Sequence, residues 1–193
     1  MLARASAVYA AAGLTISQAQ AERNLANLLA EDLNERREAE VHYRLALALV
    51  ERVAGRESSS YADIEASLGI FLAEEDCGAG EAYLEHARSV LEPLRGPSLS
   101  SLLGQLGDCA KTSDPDQAAA YYERAIALCT DRACQPGMIE HLNEAVGALL
   151  AERPATRARG IALLRHALDG YTRLGDAESA ADVKKVISRW GRR

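Results

Sequence analysis

Residues Asp114–Cys129 read DPDQAAAYYERAIALC. Asp114 is a capping residue type, and Pro115 suits the first position of a helix. Gln117 stands where a capping box places Glu or Gln. Downstream, Ala118, Tyr122, Ala125, Ile126 and Cys129 fall at i, i+4, i+7, i+8 and i+11, which is one face of an α-helix. The small–large–small order of Ala118, Tyr122 and Ala125 predicts a close helix–helix approach, with an aromatic side chain filling the space between two alanines. Weaker versions of the same order lie on both sides of this stretch.

Reading outward, the spacing predicts helices over residues 3–13, 17–32, 38–54, 61–74, 81–94, 98–110, 114–129, 138–152, 157–174 and 177–190. The expected architecture is all-α, with about eleven helices. Cys77-Gly78-Ala79-Gly80, Asn34–Arg37 and Asp131–Gly137 are read as turns, and Gly191-Arg192-Arg193 as a frayed tail. Alanine and leucine dominate while Val, Ile and Thr are sparse, a balance that favours helix over sheet. The five prolines are all placed near helix boundaries.

Two markers recur at matching intervals. The apolar residue before a small one in the odd helices gives Leu25, Leu68, Leu103 and Val146, spaced 43, 35 and 43 residues apart. The late small position in the even helices, read as Ala46, Ser89, Ala125 and Ala167, is spaced 43, 36 and 42 apart. The ends also match each other: Tyr9, Gly13, Ser17 and Ala19 align with Tyr171, Gly175, Ser179 and Ala181 at a constant shift of 162. Residues 3–13 therefore read as the second helix of a repeat whose first helix is absent.

These repeats resemble the tetratricopeptide repeat (TPR) family. The residues that carry the likeness are Leu25-Ala26 with Ala39, Tyr43, Ala46; Leu68-Gly69 with Ala82, His86, Ser89; Leu103-Gly104 with Ala118, Tyr122, Ala125; and Val146-Gly147 with Gly160, Leu164, Ala167. The spacing exceeds the family's usual period of about 34 residues, and it is similar to the kinesin-light-chain kind found in bacterial signalling proteins. The resemblance implies an α-solenoid, a right-handed superhelix spanning 1–193 as one domain. It would hold a half-repeat at 3–13, hairpins at 17–54, 61–95, 98–130 and 138–174, and a terminal helix at 177–190. It also implies a concave groove lined by first helices that takes a peptide or partner protein. By position the groove candidates are Arg23, Asn27, Ala66, Ile70, Ser101, Gln105, Glu144 and Ala148. The family's carboxylate clamp is broken, because Ser67, Ser98 and Leu102 stand where cationic or amide side chains are needed.

The net charge of −6 and pI near 5.3 weigh against nucleic acid, which calls for concentrated Lys and Arg. No apolar run approaches the roughly 20 residues needed to span a bilayer. The N-terminus only faintly resembles a signal peptide, so a cytoplasmic location is expected over secretion. Of the four cysteines, Cys77/Cys109 and Cys129/Cys134 are conceivable pairs, but an intracellular chain is expected to keep thiols free. Their spacing with His141 does not suit zinc. His42, His86, His141 and His166 lie on different helices, and His86 is read as a packing residue. Glu74-Glu75-Asp76 is read as a solvated acidic helix end, and Ser58–Ser60 as a loop that caps the next helix. No catalytic constellation, metal site or cofactor motif is present. The expected function is non-enzymatic binding of a protein or peptide. The rival reading is a regulatory or sensor segment of a larger signalling protein, and the half-repeat also suggests homodimer formation.

Overall fold

A computed structural model describes residues 2–31, 33, 35–96, 98–131 and 134–190. The expected roles of Asp32, Asn34 and Pro97, of part of the Asp131–Gly137 loop, and of the Gly191–Arg193 tail lie outside the described residues. Among the described residues there are ten helices, close to the expected eleven, and no strand: α1 (Leu2–Ala11), α2 (Thr15–Glu31), α3 (Arg36–Ala54), α4 (Ser59–Ala73), α5 (Cys77–Leu94), α6 (Leu99–Ala110), α7 (Pro115–Asp131), α8 (Met138–Glu152), α9 (Arg157–Leu174) and α10 (Ala177–Trp190). Two compact units divide the chain, Met1–Leu102 and Leu103–Arg193.

Local chemistry sets the boundaries. Asp114 Oδ1 accepts from the Gln117 backbone N–H at 3.0 Å, which caps α7 with Pro115 at its first position. The Gln117 side chain, however, donates to the Tyr121 hydroxyl at 3.2 Å instead of closing a capping box. Ser58 Oγ accepts from the Tyr61 N–H at the start of α4, and Asp176 Oδ1 accepts from the Ser179 N–H at the start of α10. The 162-residue shift is visible in the backbone. Gly13 and Gly175 both adopt positive φ, +70° and +77°. Leu14 N–H donates to Tyr9 O, and Asp176 N–H to Tyr171 O, the same reverse bond across both helix ends.

One boundary corrects the sequence reading. Cys77-Gly78-Ala79-Gly80 is the first turn of α5 and not a connecting turn. Asp76 Oδ1 accepts from the Gly78 N–H at 2.9 Å and so caps the helix four residues earlier than expected. That cap offsets the low helix propensity of two glycines. Gly80 is then needed at the crossing with α4, because a Cβ there would lie 2.7 Å from Ala73 Cβ and 2.9 Å from Ala73 N, and closer still to Gly69 O.

In the Met1–Leu102 unit, α1 packs on α2, α2 on α3, α3 on α4 and α4 on α5, and α2 also lies beside α4. Ala19, Ala26, Ala39, Tyr43, Ala46, Val50, Ile64, Leu68 and Phe71 form its core. In the Leu103–Arg193 unit, α7 packs on α8, α8 on α9 and α9 on α10, around Ala151, Leu164, Ala167, Tyr171, Ala180 and Val183. Each stacked hairpin buries the face that its neighbour would otherwise leave wet, which is how repeat chains accumulate stability.

The small–large–small register is Ala39/Tyr43/Ala46, Gly80/Leu84/Ala87, Ala118/Tyr122/Ala125 and Gly160/Leu164/Ala167, all buried. The second repeat therefore differs from the expected Ala82/His86/Ser89, since Ala82 and Ser89 are exposed. Leu84 fills the packing position and His86 is freed for another task. The physical reason is the earlier start of α5, which places Gly80 and Ala87 on the inward face.

Candidate functional site

The first helices carry the expected binding residues, and each unit arranges its own. In the Met1–Leu102 unit, α2 and α4 lie side by side. Arg23 and Asn27 are half-buried on α2. Ile70 is half-buried on α4, as is Ser101 in the first turn of α6. Ala66 is fully buried at 0% exposure, which removes it from any binding surface and corrects the expectation. In the Leu103–Arg193 unit, Gly104 of α6 sits against Leu142 of α8, and α8 touches α10. Gln105, Glu144 and Ala148 are half-buried there.

Several of these residues already have partners inside the fold. Asn27 Oδ1 accepts from the Tyr43 hydroxyl at 2.6 Å, and Glu144 Oε2 accepts from the Tyr171 hydroxyl at 3.1 Å. Tyr122 donates likewise to Asp108 Oδ1 at 2.9 Å. In three hairpins, then, a tyrosine of the second helix is tied to a polar residue of the first. Burial pushes all three phenols well above their usual range, and the nearby carboxylates reinforce this for Tyr122 and Tyr171. Gln105 Nε2 lies 3.9 Å from Cys109 Sγ. Arg23 differs: its Nε is buried with no hydrogen-bond partner among the described residues, and the same holds for Asp63 Oδ1 on α4.

Sequence reading missed a set of buried polar residues placed three positions before each repeat marker: Glu22, Glu65, Ser100 and Asn143. Their spacings, 43, 35 and 43, equal those of the markers themselves. Glu22 accepts from Ser6 Oγ, and its Oε2 lies 2.6 Å from His42 Nδ1. Glu65 holds His86 Nδ1 in a short hydrogen bond, while His86 Nε2 lies 3.6 Å from Glu57. Asn143 Nδ2 lies 3.4 Å from His166 Nδ1. The signal was legible as a polar residue at a fixed offset from each marker. A polar residue on a helix is ordinarily read as solvent-facing, so its burial was not.

The acidic end of α4 also has a structural role. Arg36 Nη2 donates to Phe71 O at 2.7 Å, its guanidinium lies 4.1 Å from the Phe71 ring centroid, and it pairs with both Glu74 and Glu75. Asp76, the last of the three acids, caps α5.

Cys129 and Cys134 form a disulfide with their Cα atoms 5.2 Å apart, inside the bridging range. None of the cysteines is free among the described residues, which overturns the expectation of free thiols.

Exposed large hydrophobics concentrate near the N-terminus: Val8, Leu14, Ile16, Leu28, Leu33, Val41, Leu45 and Val53 lie within the first three helices and their connections. An open cleft is lined by Gly13, Leu14, Thr15, Ile16, Ser17 and Val53. Among the described residues no cluster of three or more His, Cys, Asp or Glu could hold a metal ion, and no helix is long and apolar enough to cross a membrane.

No family model matches the chain, and no curated protein matches it in sequence. Among solved structures, the crystal structure of BtubC (BKLC) from P. vanneervenii superposes on 83% of this chain with a TM-score of 0.67 and 20% sequence identity. The chain spans 66% of the length of that protein. At that identity the likeness establishes the fold alone: an all-α array of helical hairpins similar to that protein's.

Proposed function

We propose that this chain is a non-enzymatic interaction module that holds a peptide or a partner protein on the exposed surface of its first helices. The observation that carries this reading is Arg23. Its Nε is buried and no described residue satisfies it, while neighbouring Asn27 is committed to Tyr43. A buried donor left unmet in the fold gains when a ligand supplies the acceptor. Ile70 supplies apolar contact on the adjacent helix and Ser101 is a further candidate in the same unit, while Gln105 and Ala148 are candidates within the Leu103–Arg193 unit by itself. A single module over 1–193 and a cytoplasmic location belong to the same proposal. An oxidising compartment is the alternative favoured by the Cys129–Cys134 bond.

The test is affinity capture with wild type, Arg23→Glu and Ile70→Arg. Asn27→Ala is unsuitable, because it would strand the buried Tyr43 hydroxyl. The proposal expects both variants to lose the partner while keeping native helix content. Unchanged capture by both, and by Ala148→Arg, sinks it.

A second reading, a segment of a larger signalling protein or a homodimer, draws on α1. Val8 is 65% exposed, and Ala5 and Tyr9 are half-buried, whereas their counterparts in α9 (Gly170, Ala167 and Tyr171) are buried beneath α8. Light scattering on the purified chain, alone and with a Val8→Glu variant, reads whether copies pair through this face.

A further inference from the structure

The four polar positions three residues before the repeat markers are chemically unequal. In the Met1–Leu102 unit, α2 and α4 place carboxylates there, Glu22 and Glu65. Their equivalents in the later repeats are the neutral Ser100 and Asn143. Both carboxylates are nearly sealed from solvent, and both meet an imidazole from the following helix, His42 on α3 and His86 on α5. At the matching place in the other unit, Asn143 meets His166. An amide can satisfy a neutral ring. A buried carboxylate is better offset by a charged ring than by a neutral one, because an unpaired buried charge is costly.

We propose that the Glu65–His86 pair is a proton-dependent latch between α4 and α5, closed while His86 carries both ring protons and weakened when one is lost above neutral pH, which leaves the buried Glu65 carboxylate facing a neutral ring.

Glu57 approaches the outer His86 nitrogen at 3.6 Å from the loop before α4, and favours the protonated ring. Arg56 in the same loop faces Glu65 and Tyr61. Tyr61 on α4 presents its ring edge-on to His86, with centroids 6.4 Å apart. From α3 the charged group facing this corner is Glu51, beside Tyr61. On α5 itself, Glu85 is held by Arg88. Leu99–Leu102 carry no titratable side chain.

The sign follows from both partners. The hydrogen bond to Glu65 is the largest cause raising His86 above its ordinary value, and burial is the largest cause raising Glu65. The folded pair therefore binds more protons than the unfolded chain near neutrality, and stability falls as pH rises. The contribution of His86 is complete below its unfolded pKa of about 6.5 and is lost as pH climbs through its higher folded value.

Hydrogen exchange on the full chain, corrected for intrinsic rates, tests the latch at about pH 6 and about pH 8.5, with α8/α9 as the internal control. Opening of α4/α5 should increase about tenfold for each unit by which the His86 titration is raised, while α8/α9 stays level. Glu65→Gln should abolish the difference, since an amide carries no charge for the imidazolium to offset. Should that variant fail to fold, NMR titration of His86 in the wild type decides. A midpoint at or below the ordinary value overturns the latch, as does equal pH response in the two hairpins or full pH dependence in Glu65→Gln.

Discussion

Gly160 sits where α9 crosses α8. A Cβ added there would lie 2.5 Å from Ala151 N, 2.6 Å from Gly147 O and 2.9 Å from Leu150 C, all of them backbone atoms. Nothing flexible can yield, so Gly160→Ala must push the helices apart by roughly 1 Å to restore ordinary contact distances. A gap of that size forfeits about a quarter to a half of each contact made by Leu164 and its neighbours. Overpacking of this kind costs about 3 kcal/mol at the upper end, and alanine returns at most about 1 kcal/mol in helix propensity. The expected net loss is about 2 kcal/mol, or a fall in Tm of about 4–8 °C for a chain of this size. Thermal and urea unfolding followed by circular dichroism would measure it. The repeat register supplies a duplicate, since Gly80 meets Ala73 and Gly69 in the same way across α4/α5 and Gly80→Ala should lose a similar amount. Gly78 is the control: a Cβ there would meet only Asp76, at 3.3 Å, so Gly78→Ala should stay within about 0.5 kcal/mol of wild type. If Gly160→Ala and Gly80→Ala are as stable as Gly78→Ala, the close helix crossings and the corrected second-repeat register are both wrong.

Tyr122→Phe removes the hydroxyl that reaches Asp108 from a side chain only 1% exposed, and should cost about 1 kcal/mol in urea unfolding, with helix content unchanged. An unchanged midpoint would mean the bond contributes nothing. Reducing Cys129–Cys134 should destabilise the Leu103–Arg193 unit by about 2 kcal/mol, the loop-closure entropy for so short a ring. Alkylation and mass spectrometry of the protein without reductant would find these thiols blocked, and full labelling would refute the bond.

Much of the fold was legible because repetition multiplies weak signals. One Ala118/Tyr122/Ala125 face is ambiguous, but its recurrence points to paired helices, and burial bears out the expected register in the first, third and fourth repeats. The shift of 162 was legible for the same reason, and reappears as twin glycine turns at Gly13 and Gly175. The second repeat was misread because Cys77–Gly80 has the composition of a turn. Propensity is a local prior, and the Asp76 cap together with the close approach of Gly80 to α4 outweighs it.

The candidate site was less legible. Sequence position placed Arg23 and Ile70 on first helices, yet it could not tell Ala66, which is buried, from its half-buried neighbours. Nor could it tell that Asn27 and Glu144 are engaged by tyrosines from the next helix. By itself the sequence determined the order of the helices and, in three of the four repeats, the small residues at their crossings, because periodicity and steric size act along the chain. Only the tertiary structure decided which polar groups are buried and with whom: Glu65 with His86, Glu22 with His42, Arg36 with the acidic end of α4, and Cys129 with Cys134. Those pairings join residues several to dozens of positions apart. Their energies depend on distance and on the exclusion of water, and neither is set until the helices have packed.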